Sequence, residues 1–131
     1  MAEVALDTNV LLYIFSGEAA KATQARELIA GGGVISVQVL NEFAAVSRRK
    51  FKAPWPAVYD GLSALRANLR VEPLTVGVHS RGMQIAERHQ LAIYDALILA
   101  AAVEAGCSRL LSEDMQHGQI VDGVRIENPF L

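Results

Sequence analysis

The sequence predicts an α/β fold: a mostly parallel sheet with helices on both faces. Three observations carry this. Short apolar, β-favouring runs recur along the chain, segments with helical periodicity separate most of them, and 52% of the 131 residues are hydrophobic, ample for a core. Strands joined by long helical crossovers lie parallel with right-handed connections, which leaves both sheet faces to be covered. The length suits one domain over residues 1–131, and a domain of that size buries roughly two thirds of the surface its unfolded chain exposes.

The elements follow in order. Glu3 to Leu6 is a short β-like run that ends at Asp7-Thr8-Asn9, residue types that cap helices, and an apolar helix over Val10 to Phe15 comes next. Glu18 to Ala30 is rich in strong helix formers and is stopped by Gly31-Gly32-Gly33. Val34 to Ser36 is the second strand. Val37 to Lys52 has helical periodicity and ends in a basic cluster, with Pro54 and Pro56 as the break before a helix from Ala57 to Leu69. Arg70 to Leu74 is the third strand, Val76 to His89 a helix, Tyr94 to Ala105 a buried helix ended by Gly106, and Arg109 to Leu111 the fourth strand. A last strand over Val124 to Glu127 follows the Asp122-Gly123 turn.

Composition excludes several classes. The longest apolar run, Leu91 to Val103, contains Asp95 and is shorter than the roughly 20 residues of a membrane helix. No basic region followed by an apolar stretch and a small-residue cleavage site opens the chain, and Cys107 is the single cysteine, so a reducing cytoplasm is the expected setting. No zinc-type Cys/His spacing, nucleophile elbow or phosphate-binding loop is present. The net charge of −2 argues against nucleic-acid binding by bulk charge; yet if four of the 14 acids belong to one site, the 12 bases outnumber the rest.

The acids then become the candidates. In open parallel sheets functional groups gather at the carboxyl ends of the strands, and Asp7 and Asp114 each follow a predicted strand. Asp7 is either a helix cap or a ligand, with Thr8 and Asn9 as neighbouring polar groups. Asp95 stands alone among apolar neighbours, where a buried carboxylate needs a partner; the alternative is a first-turn acid stabilised by the helix dipole. On a helical wheel Glu42 shares the polar side with Gln38 and Arg49, which predicts a solvated glutamate. Asp114 in isolation reads as a loop or cap residue. His79, His89 and His117 are expected at the surface, and Trp55 and Tyr59 in the core, with base stacking as their alternative.

Together, Leu6-Asp7-Thr8-Asn9, Asn41-Glu42, Tyr94-Asp95-Ala96 and Ser112-Glu113-Asp114 resemble PIN domains, specifically the VapC-type toxins, in order, spacing and chain length. The tail from Leu110 to Gln119 followed by Asn128-Pro129-Phe130 is similar to one branch of those toxins. The resemblance implies a three-layer α/β/α domain, an acidic quartet of Asp7, Glu42, Asp95 and Asp114, metal ligation by Asp7, Asp95 and Asp114, and support from Thr8, Asn9 and Ser112. Glu113 beside Asp114 leaves the last assignment open. It implies cleavage of RNA leaving a 5′-phosphate, an antitoxin partner covering the site, and a homodimer formed through helical faces.

Clustered carboxylates repel one another and recruit a cation, and oxygen donors without His or Cys favour Mg²⁺ or Mn²⁺. Arg48, Arg49 and Lys50 can hold RNA phosphates, or simply favour the dipole at a helix C-terminus. Two rival readings differ in class. A phosphoacceptor receiver domain would want an acidic pair near the first strand and a late lysine, and the last lysine is Lys52. A non-catalytic PIN-like module would use the acids to hold its fold and its helices to bind a partner protein.

Overall fold

The structure, a computed structural model, describes residues 3–131. Its elements are β1 (Val4–Leu6), α1 (Thr8–Leu12) with a 3-10 turn over Tyr13–Phe15, α2 (Ala19–Ala30), β2 (Val34–Ser36), α3 (Val37–Arg49), α4 (Trp55–Asn68), β3 (Arg70–Glu72), α5 (Val76–His89), α6 (Ile93–Glu104), β4 (Arg109–Leu111), β5 (Ile120–Val121) and β6 (Val124–Glu127). The sheet runs β3-β2-β1-β4-β6-β5, parallel except where β5 meets β6. The fold is a three-layer α/β/α sandwich. Right-handed crossovers put α1 to α4 on one face and α5 and α6 on the other.

The chain leaves β1 toward β2 and β3 in one direction, and β4 pairs with the opposite edge of β1, so the topological switch lies between β1 and β4. Leu6 pairs with Leu111, and the Asp7 amide extends the pairing by donating to the Leu111 carbonyl at 2.9 Å. Every strand end that carries a candidate acid therefore opens on one side of the sheet. Helix α6 runs back against the strands, so its first turn, with Asp95, starts at that same side.

Local chemistry explains the elements. Asp7, Ser36 and Thr75 cap α1, α3 and α5 with their side-chain oxygens. The middle of α6, Ala96 to Ala102, is buried without interruption, as befits a helix apolar all round. Gly33 has φ +140, and a Cβ there would stand 2.6 Å from the Val4 carbonyl oxygen, so β1 and β2 need glycine at this point. No helix among the described residues is long and apolar enough to cross a membrane.

Several boundaries depart from expectation for physical reasons. Helix α3 stops at Arg49, short of Lys52, because Lys52 takes a left-handed conformation (φ 50). Helix α4 starts at Trp55: Pro56 lies in its first turn, where the missing N–H costs nothing, instead of breaking it. Pro73, without a donor, ends β3 at Glu72, before Leu74. Strand β5 is an addition, joined to β6 through Asp122 and Gly123, both at positive φ as a tight two-residue hairpin requires. Trp55 and Tyr59, expected in the core, are 52% and 63% exposed, since α4 packs through Val58, Gly61 and Leu65 instead.

Candidate functional site

A cavity of about 560 Å³ opens at the carboxyl ends of the central strands. Asp7, Glu42, Asp95 and Asp114 all line it, from β1's end, α3, α6's first turn and the loop after β4, together with Thr8, Asn9 and Glu113. Ser112 stands behind the wall, fully buried.

Asp7 is the innermost acid. One carboxylate oxygen accepts from the Thr8 amide at 2.7 Å and the other from the Ser112 hydroxyl at 2.7 Å. Ser112 Oγ in turn accepts from the Met115 amide at 3.2 Å, so one serine ties Asp7 to the loop that carries Asp114. Burial drives the Asp7 pKa from 3.8 to about 7; the Ser112 and Thr8 hydrogen bonds oppose the rise, and the charges of Asp95 and Glu42 add to it. The helix-cap and site readings of Asp7 are therefore compatible, since the same carboxylate caps α1 and faces the cavity.

Glu42 is not the solvated glutamate its helical wheel predicts. It is half-buried, accepts from Gln38 Nε2 at 3.0 Å, and its pKa is raised first by burial, then, against the Gln38 bond, by Asp95 and Asp114. The wheel misleads because the polar stripe of α3 faces the other acids across the cavity rather than open water. Asp95 is likewise raised by burial and by the Asp114 charge, while Asp114 itself is exposed. The Thr8 hydroxyl is buried beside Glu42, where it acts to lower that carboxyl's pKa against the stronger effect of burial.

Glu113 and Asp114 part company. Tyr13 OH donates to Glu113 Oε1 at 2.5 Å, Lys21 Nζ reaches Oε2 at 3.2 Å, and the Glu113 pKa is lowered chiefly by the Tyr13 bond. Glu113 is thus already paired at the cavity's rim, and Asp114 is the one whose charge is felt by Glu42 and Asp95. Asn9 Oδ1 accepts from the Glu113 amide at 3.3 Å, steadying that loop against α1.

The basic cluster also divides. Arg49 and Lys50 line the same cavity as the acids, whereas Arg48 donates to the Ala53 carbonyl at 3.0 Å and lies 4.7 Å from the Trp55 ring centroid. Successive helical residues point about 100° apart, so three neighbours cannot share one target. Sequence reasoning missed Tyr13 and Lys21, and met Gln38 only as a neighbour on the wheel. The i, i+4 spacing of Gln38 and Glu42 was a usable signal of their bond, but nothing local joins Tyr13 to Glu113.

The donor set is carboxylate and hydroxyl oxygen, with raised acid pKa values, which matches a hard divalent cation in chemistry. Among the described residues, no three His, Cys, Asp or Glu side chains stand close enough to cage an ion directly.

Comparison with known proteins agrees with this architecture. The family model described as PIN domain matches residues 4–121. No curated protein matches the chain by sequence. Among solved structures, a chain of a toxin–antitoxin complex from Klebsiella pneumoniae is similar with TM-score 0.71 and 21% identity, covering 94% of this chain and 95% of that one. DNA-bound VapBC from Salmonella typhimurium gives 0.67 and 19%, covering 97% and 98%. The Mycobacterium tuberculosis toxin VapC20, described as cleaving the sarcin-ricin loop, gives 0.64 and 19%, covering 85% and 89%.

Proposed function

The chain belongs to the PIN domain family, and on that premise we propose that it is a divalent-metal-dependent endoribonuclease, the toxin of a bacterial toxin–antitoxin pair. The observation that carries the reading is the meeting of Asp7, Glu42, Asp95 and Asp114, from four separate elements, at one cavity whose innermost acid has a pKa of about 7. Acids gathered for structure alone would be paired with bases; here burial raises the proton affinity of Asp7, Glu42 and Asp95, and neighbouring acids add to it.

Asp7, Asp95 and Asp114 would hold Mg²⁺ or Mn²⁺, with the Thr8 hydroxyl in the same cavity lining. Because Mg²⁺ keeps part of its hydration shell, direct contact with three carboxylates is not required. Once bound, the ion supplies a water of lowered pKa and neutralises charge developing at phosphorus. Ser112 and the Thr8 amide fix Asp7 as an anchor. Glu42, its pKa raised and its orientation set by Gln38, accepts the proton of the attacking water. The water oxygen bonds to phosphorus as the bond to the 3′ oxygen breaks, leaving a 5′-phosphate. Arg49 and Lys50, in the same cavity lining, bind the flanking phosphates.

Two protein partners belong to this reading: an antitoxin that covers the cavity, supported by the toxin–antitoxin complexes among the similar structures, and a second copy of the chain through helical faces. The test is cleavage of a total-RNA pool by antitoxin-free protein with Mg²⁺ or Mn²⁺, beside EDTA, Asp7→Asn and Asp95→Asn. Metal-dependent cutting that falls at least about 100-fold in both variants is expected. A folded, metal-loaded protein that cuts nothing would move the reading to a non-catalytic PIN-like binding module, which the absence of a ready-made ion cage among the described residues would also suit.

A further inference from the structure

The cavity that gathers the acids also holds an aromatic ring that phosphodiester chemistry does not use. Phe51 follows the end of α3 and lines the wall formed by Arg49 and Lys50. Its turn is pinned from both sides: Arg48 Nη1 donates to the Ala53 carbonyl at 3.0 Å, the Ala53 amide donates to the Ser47 carbonyl at 3.0 Å, and Lys52 takes the left-handed conformation between them. Phe15 lies behind Phe51 with ring centroids 6.0 Å apart and planes tilted by 34°; Phe43 lies behind Phe15 at 5.7 Å and 38°. Phe43 is fully buried, so a ladder of rings runs from the cavity wall into the core. Phe51 itself is half-buried, and Lys50 Nζ lies over its ring, 5.5 Å from the centroid.

We propose that Phe51 is a nucleobase-stacking residue, with Lys50 and Arg49 taking the adjoining phosphates, so that the site accepts an unpaired nucleotide. The proposal rests on the nuclease reading and deepens it by naming the residue that receives a base. A stacking base takes the place of the Lys50 ammonium, which swings to the adjoining phosphate. A rigid ring on a packed support loses little entropy on binding, and every base offers a π-face to it. In a duplex those faces are covered by neighbouring bases, whereas loops and single strands can splay a base onto an aromatic side chain. The lining supplies both signs of charge: acids for the reacting phosphate, and Arg49 and Lys50 beside the ring for its neighbours. The cavity's volume falls within the roughly 300 to 1,000 Å³ of small-ligand sites.

The test is binding, read by fluorescence anisotropy in EDTA, of a labelled single-stranded RNA oligomer, the same oligomer with abasic positions, and its duplex. Proteins are wild type, Phe51→Ala, Phe51→Leu and Phe51→Trp, each checked for native circular dichroism. Expected is a roughly 5- to 150-fold weaker single-strand Kd for Phe51→Ala and Phe51→Leu, with Phe51→Trp holding wild-type affinity. The abasic oligomer and the duplex should bind all four alike. Equal losses on intact and abasic RNA, or no loss at all, overturn the proposal. So does a Phe51→Ala variant that keeps its RNA affinity and loses only its hold on the antitoxin. A base-dependent loss in a protein that never cuts RNA in Mg²⁺ would leave the stacking subsite standing while removing the nuclease reading.

Discussion

Replacing Asp7 with asparagine should stabilise the metal-free protein, and by an amount that grows with pH. In the folded chain the Asp7 carboxyl titrates near 7 rather than 3.8. Between those values the folded state holds a proton that the unfolded state has released, so stability falls as pH rises, and above about 7 the penalty is constant. At about 1.36 kcal/mol per pKa unit, the full penalty is roughly 4 kcal/mol. The asparagine side chain would carry no charge, at the cost of about 1 kcal/mol from a poorer bond to Thr8 or Ser112. Urea unfolding of both proteins in EDTA, from about pH 4 to about pH 8, should show the variant gaining roughly 3 to 4 kcal/mol on wild type across the range. Added Mg²⁺ or Mn²⁺ should then raise the stability of wild type and leave the variant nearly unchanged. A difference that stays flat with pH, or that turns against the variant as pH rises, would refute the assignment of Asp7 as a carboxylate strained by its site.

Two further outcomes follow from individual contacts. Ser112→Ala removes a hydrogen bond that lowers the Asp7 pKa; the acid limb of the pH–kcat/KM profile for RNA cleavage should move to higher pH, with a loss of roughly tenfold or more near neutrality, and an unmoved limb would exclude ionised Asp7 from the reaction. Gly33→Ala puts a Cβ 2.6 Å from the Val4 carbonyl oxygen at a φ of +140, and backbone cannot turn aside as a side chain can. It should cost about 2 to 4 kcal/mol in urea unfolding, and a value within about 0.5 kcal/mol of wild type would contradict the close approach of β1 and β2.

What the sequence revealed was whatever is local. The capping residues from Asp7 to Asn9, helix formers between Glu18 and Ala30, and the apolar strand runs each act over a few residues, and α5 and β4 fall where their periodicity places them. Two-residue β5 carries too few side chains to show alternation, and Pro56 looks like a break because the first turn of a helix tolerates what its interior rejects. The candidate acids were visible as lone carboxylates, but their surroundings were not. A wheel for α3 knows nothing of Asp95, which is why Glu42 reads as solvated. The Tyr13 and Lys21 grip on Glu113, and the ring ladder behind Phe51, join residues that share no period, and they arise only when the 3-10 turn, α2, α3 and the loop after β4 are packed together.

The hydrogen bond between Asp7 and Ser112 spans 105 positions, and it sets a timetable for synthesis. Strand β1 is made first, yet it lies between β2 and β4, and β4 is among the last elements to be made. A nascent chain that has reached α6 still leaves one long edge of β1 unpaired and the Asp7 carboxylate without its serine. Because such non-local pairing forms only after both partners exist, the acids cannot meet until residues 109–114 have emerged from the ribosome. A chain interrupted before that point would hold three of the four acids, without Asp114 and without the serine that ties Asp7 in place.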